Sequence, residues 1–248
     1  MGNPATPSIV YDRCFASSRH CAQKGSSPQR TIRSMSLPDE LQRIFDADRV
    51  LQEAESVLLR NKSLDEVIAL LGRETESALQ MEDRKEGTMR LERLADLCAQ
   101  VPGPRMTDAL IAILNDAEPR VRVAAGEALR DLGYERYAEL ARGIERALDR
   151  NADGVAMSEL PWVLAEIAEP SALALIRRFL DHSSPDVAAA AIEALAQLAD
   201  PEALADLERF VGDSRVVLIE DFEDETKTTL GELAEEALEM LGVRREPV

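Results

Sequence analysis

The sequence predicts an all-α protein built as a row of stacked helix pairs, and three observations carry that prediction. Hydrophobic residues make up 45% of the 248-residue chain while aromatics make up only 4%. The core must therefore be assembled from Ala, Leu, Val and Ile, side chains that suit close helix packing. One apolar spacing also recurs: Val121, Ala125, Ala128, Leu129 and Leu132 superpose on Val187, Ala191, Ala194, Leu195 and Leu198, and the offsets 0, 4, 7, 8 and 11 trace one face of a helix. Finally, the turns between paired helices repeat an aspartate, at Asp116, Asp149, Asp181 and Asp213.

Taken in order, residues 1–34 are rich in Ser, Arg and Pro, lack hydrophobic periodicity and are expected to be disordered. A transit peptide shares their Arg-rich, acid-poor character; a flexible tail and translation starting at Met35 are the other readings. The last is favoured because "MSLPDEL" opens a helix, with Ser36 as cap and Pro38, Asp39 and Glu40 in the first turn. Residues 35–62 are expected to form an N-terminal helix that caps the first pair, as terminal repeats require.

From residue 63 to 241 the apolar helices alternate with helices in the common register. The first members are 63–80, "TDALIAIL", "YAELARGIERAL", "SALALIRRFL" and "EALADLERF". Besides the two already named, the second members carry Gly87, Leu91, Leu94, Ala95 and Cys98; Ala156, Leu160, Val163, Leu164 and Ile167; and Leu230, Ala234, Ala237, Leu238 and Leu241. Pro102, Pro170 and Pro201 punctuate the exits of second helices. Pro161 is expected in a first helical turn capped by Ser158, or at a kink. Residues 213–227, "DSRVVLIEDFEDETK", stretch the last turn into an insertion that either packs back as a cap or presents a partner-binding hook. Residues 242–248 are a C-terminal tail.

One stretch imitates a metal site. In "DRNADGVAMSEL", Asp149, Asn151, Asp153 and Gly154 fit the opening of a calcium-binding EF-hand loop. The position that needs a bidentate Glu is Leu160, and Leu160 is also on the buried register. An acidic turn is the reading that follows.

The segment "LNDAEPRVRVAAGEALRDLG", with Asp116, Val121 and Arg122 at the Asp and Val-Arg positions, resembles the HEAT repeat family, in particular its short phycobilisome-lyase-like repeats. A later repeat departs from it, with Ala188 where Arg122 stands. The resemblance implies a right-handed α-solenoid of about five HEAT-like pairs with an N-terminal capping helix. It also implies three activities to weigh. An iron-dependent hydroxylase of the family uses paired His-Glu dipeptides, which this chain lacks, having only His20 and His182. DNA glycosylases of the family use a basic groove, whereas residues 35–248 carry a net charge of −22, because residues 1–34 hold five Lys or Arg against Asp12. Lyase activity rests on resemblance alone, and fold does not establish function.

No catalytic residue, cofactor or metal is therefore expected. The acidic surface excludes nucleic acid and anionic membranes as partners. No apolar run approaches the roughly 20 residues of a membrane span, and three cysteines imply no disulfide framework, so a reducing, cytoplasmic setting is expected. Cys98, on the buried register, reads as a core residue. The expected function is a protein-binding scaffold or adaptor presenting an acidic concave surface to a partner with a basic surface; the alternative is a lyase-like or other enzyme accessory acting on a modified partner protein.

The candidate binding residues follow from the columns that stacking creates. At offset 6 stand Arg93, Glu127, Trp162, Glu193 and Glu236, so the sole tryptophan falls in a charged column. Trp is enriched at interface hot spots, although the favoured reading of a single tryptophan is that an adjacent loop or the N-terminal helix covers it. With Trp162 as anchor, Glu127, Asp131, Glu166, Glu193 and Gln197 border the partner surface, and Phe222 belongs to the insertion.

Overall fold

A computed structural model describes residues 36–60, 63–220 and 225–242. The chain divides into two compact units, 1–47 and 48–248, with the division inside helix α1 (Leu37–Leu59). In the first unit, Ser36 caps α1 as its sequence suggests: the Asp39 N–H donates to Ser36 Oγ at 3.4 Å, and the Ser36 hydroxyl donates to Asp39 Oδ2 at 2.7 Å. Leu37, Leu41, Ile44 and Phe45 are exposed, and no residue of α1 is fully buried. In the second unit, the last turn of α1 contributes half-buried Leu58 and Leu59 to the core edge, and Arg93 donates to Glu55 at 3.4 Å.

The second unit is an α-solenoid. Its helices are α2 (Leu64–Leu79), α3 (Arg84–Gln100), α4 (Pro104–Leu114), α5 (Pro119–Asp149), α6 (Val155–Ile167), α7 (Ala172–Phe179), α8 (Pro185–Leu198), α9 (Leu204–Glu208) and α10 (Leu230–Met240). A 3-10 turn, Pro201–Ala203, precedes α9. Second helices stack in the order α3, α5, α6, α8, α10, and the shared register is what they stack with. Of the register residues, only Leu198 and Leu241, each at the end of its helix, are not fully buried. Small residues on the first helices let backbones approach there too. A Cβ at Gly143 would lie 2.2 Å from Thr107 Cγ2, so α4 and the second half of α5 pack at glycine contact distance.

The second helix of one pair and the first of the next follow each other as the two arms of α5, separated by a break at Arg136 (φ −143°, ψ 53°), in agreement with the sequence reading of two helices. The Arg136 guanidinium donates to the Ala99 carbonyl at the end of α3, which ties the kink to its neighbour. Two features differ from the sequence reading. Pro161 sits in the interior of α6 rather than in its first turn, because the helix begins at Val155; Ser158 Oγ donates to Val155 O at 2.9 Å instead of capping. The 213–227 insertion contains two strands, β1 (Val216–Glu220) and β2 (Glu225–Thr229), paired antiparallel with Val216 opposite Thr229. Alternation of Val217 inward against exposed Val216 and Leu218 marks a half-buried strand. Thr229 then caps α10 in a full capping box with Glu232.

The turns bind neighbouring pairs. Asp116 is buried and accepts both Arg84, at 2.7 and 2.9 Å, and the Glu118 N–H at 2.9 Å. Asp149 accepts Arg178 at 2.6 Å and Asp181 accepts Arg209 at 3.1 Å, each from the next pair, while Asp213 pairs with its neighbour Arg215. In the stretch that imitates an EF-hand, Asp149 is thus held by a guanidinium, Leu160 is completely buried, and Gly154 (φ +109°) begins a helix. Asn115 Oδ1 occupies the space a Cβ at Gly154 would need, and it accepts the Ala156 N–H at 3.2 Å. His182 is buried in the same way: the Ser184 N–H donates to Nδ1, so Nε2 carries the proton that reaches Ala152 O at 3.1 Å.

Two substitutions at the α4 to α5 contact should move stability in opposite directions. Gly143→Ala overpacks a stiff β-branched neighbour and should cost about 1–3 kcal/mol. Thr107→Val keeps the shape and removes a buried hydroxyl that has no hydrogen-bond partner, which should raise the melting temperature. Thermal and urea unfolding of the two variants checks both.

Candidate protein-binding surface

The face formed by second helices is lined by side chains outside the buried register. On α3, α5 and α6 it carries three exposed apolar residues, Met89, Val123 and Trp162, the last 37% exposed. Met89 and Val123 share the groove between α3 and α5, with Glu92, Arg93, Asp96 and Arg120 along its walls. Val123 and Trp162 share the next groove, between α5 and α6, where Gly126 leaves its floor open and Glu127, Arg130, Glu159 and Glu166 form the rim. Val123 and Glu127 belong to both grooves, so the two are continuous.

The predicted residues are thereby sorted. Trp162, Glu127 and Glu166 come together in one groove. Asp131 is exposed one helical turn beyond Glu127 and lines a further hollow with Asp96 and Tyr134. Glu193 lies on α8 near Glu236 of α10, and Gln197 is exposed on α8. Phe222 lies outside the described residues. Met89, Val123 and the arginines are the members that reasoning from offset 6 passed over. Their signal was present, since Met89 and Val123 both stand at offset 2 of the same ruler.

Charge on this face is graded along the array. Arg130 donates to Glu166 at 2.8 Å and lies 3.9 Å from Glu127; Arg120 lies 3.2 Å from Glu92, and Arg122 lies 4.0 Å from Glu159. These pairs are largely exposed and contribute about 0–1 kcal/mol each, but they neutralise the α3 to α6 section. Burial raises the Asp96 carboxyl above the ordinary range against the pull of Arg93, helped by Glu55, Glu127 and Asp131. The Glu193 carboxyl is raised first by burial and then by Glu236.

Other groups with chemical potential are held in the core. Burial pushes the Cys98 thiol up to about 11, far from the thiolate a nucleophile needs. Among the described residues there is no cluster of three or more His, Cys, Asp or Glu able to hold a metal ion, and no helix long and apolar enough to cross a membrane.

The family profile of HEAT repeats matches residues 144–220. That segment spans the second half of α5 through β1, so this part of the solenoid is similar to HEAT repeats. No curated protein matches the chain. Among solved structures, it is similar to a computationally designed armadillo repeat protein for modular peptide recognition, at 18% identity over 83% of this chain and 99% of that one, with a TM-score of 0.30. An engineered protein matches at 16% identity, over 77% and 96% of the two chains, with a TM-score of 0.31. A second designed armadillo repeat protein matches at 17%, over 76% and 98%, also with a TM-score of 0.31.

The raised Glu193 carboxyl sets a pH dependence. The folded protein binds this proton more tightly than the unfolded chain, so its contribution to stability is present at acid pH and lost as pH rises above the ordinary value of 4.5 through the folded one. Glu193→Gln should therefore raise the melting temperature at neutral pH, and the gain should shrink on acidification. Melting curves of both proteins across that range test it.

Proposed function

We propose that the protein is a binding scaffold that receives a partner protein on the second-helix face. The observation that carries this reading is the row Met89, Val123, Trp162, three exposed apolar side chains on three successive helices, in continuous grooves rimmed by ion pairs. A large aromatic ringed by polar groups is the usual composition of an interface hot spot. Rim charges then orient the partner. Glu127 and Glu166 belong to the rim beside the anchor, Asp131 to the neighbouring hollow, while Glu193 and Gln197 extend the surface toward α10.

The graded charge refines the partner. Between α3 and α6 the arginines offset their glutamates, so this section favours apolar contact with mixed polar pairing. From α8 to α10, Glu193, Glu235, Glu236 and Glu239 form an acidic surface that suits basic groups. A partner with an apolar anchor followed by Lys or Arg fits both sections, and its binding weakens as salt rises.

The test is affinity capture with the full chain, identification of what is retained, and titration of that protein against Trp162→Ala. The substitution should cost about 2 kcal/mol or more, roughly thirtyfold in affinity, with the helical circular dichroism unchanged. Normal binding by a folded Trp162→Ala protein would place the partner elsewhere.

A further inference from the structure

A separate hollow lies in the layer of first helices, on elements that carry none of the Met89, Val123 and Trp162 row. It opens between α2 and α4, measures about 460 Å³, and its apolar lining is Ala69, Gly72, Leu79, Ala109 and Ala112. Gly72 stands in the interior of α2, where glycine weakens a helix relative to alanine. No packing contact requires it, since a Cβ there would meet no atom within 4 Å. The contrast is Gly143, where Thr107 takes the space. A glycine facing open space leaves room for the main chain of a bound molecule to come close.

Charge gives the hollow its selectivity. Its charged lining is Arg73, Glu76, Arg105 and Asp108. Asp108 is already answered within the protein, by Arg146 at 2.9 Å and Arg150 at 3.9 Å. Arg73 and Arg105 are exposed, and among the described residues neither makes an ion pair or a hydrogen bond. Elsewhere in the solenoid, arginines reach carboxylates of neighbouring pairs, as Arg84 reaches Asp116 and Arg178 reaches Asp149. In a chain of net charge −18, two unanswered guanidiniums at one hollow, against Glu76 alone, are a local excess of positive charge.

We propose that the hollow between α2 and α4 receives a short acidic segment of a partner protein. Arg73 and Arg105 each take a carboxylate, the segment's main chain passes over Gly72, and its small apolar side chains rest on the alanines. A guanidinium fork matches a carboxylate through two parallel hydrogen bonds. Screening decides what kind of anion fits. Charges more than about 8 Å apart are largely screened at physiological salt, so a short segment feels the two arginines. A nucleic acid or an anionic membrane spreads its charge over the acidic surface around them as well.

The test is fluorescence anisotropy of a labelled, acetylated peptide alternating Glu with Ala and Leu, titrated with the full chain. A version with Gln for Glu, and one with phosphoserine for Glu, are titrated beside it. The Glu peptide should bind and the Gln version should not. Arg73→Ala and Arg105→Ala should each weaken binding about tenfold. Gly72→Leu should keep or raise the melting temperature, because Leu is the better helix former, and should weaken binding by filling the hollow. Lys85→Ala removes the same charge from an exposed site on α3 and should bind as wild type. If Gly72→Leu lowers the melting temperature, the two arginine variants decide. The proposal is overturned if the Glu peptide binds no better than its Gln version, if only the phosphoserine version binds, or if both arginine variants or a folded Gly72→Leu protein bind normally. It is equally overturned if Lys85→Ala weakens binding as much as the arginine variants, or if sedimentation shows a self-association that Arg73→Ala abolishes.

Discussion

Everything in the solenoid depends on one face of each second helix being buried against its neighbours on both sides. The residues at the shared offsets do this with Ala, Leu, Val and an occasional Gly, and almost all of them are out of solvent. Small side chains at alternate positions bring the helices close, which is why a chain with so few aromatics can still build a continuous core. Because each pair covers the next, no pair can bury its apolar face alone. Stability is then a sum of neighbour terms, and a defect such as an overpacked Gly143 is felt first at one interface.

The turns convert this packing into an ordered row. A repeated aspartate sits at each one, and at Asp149 and Asp181 an arginine of the following pair answers it. Asn115 carries the same logic into the backbone by capping the next helix at Ala156. These contacts account for the acidic loop at Asp149 to Leu160 without an ion. The first carboxylate is engaged, and the position that would need a bidentate ligand is part of the core.

What remains exposed on the second helices is what the row can offer a partner. Stacking turns isolated surface residues into lines: Met89, Val123 and Trp162 belong to three repeats but share two continuous grooves. The same stacking brings Arg130 to Glu166 and Glu193 to Glu236, so it also sets where the face is neutral and where it is acidic.

Leaving open whether Trp162 is covered, the sequence by itself determined the helical class, the common register, and the burial of Cys98 and Leu160. These are local properties, because a period of about 3.6 residues places side chains on a face whatever the helix meets. Only the tertiary structure decided that the break at Arg136 is tied to the end of α3, that α6 begins early enough to enclose Pro161, and that the insertion pairs as strands. It also decided that Arg130 answers Glu166 across 36 residues of chain. Each of these rests on contacts between segments distant in sequence or on the ends of elements, where local preference is weakest. Periodicity within a helix carries no record of which neighbour that helix will meet.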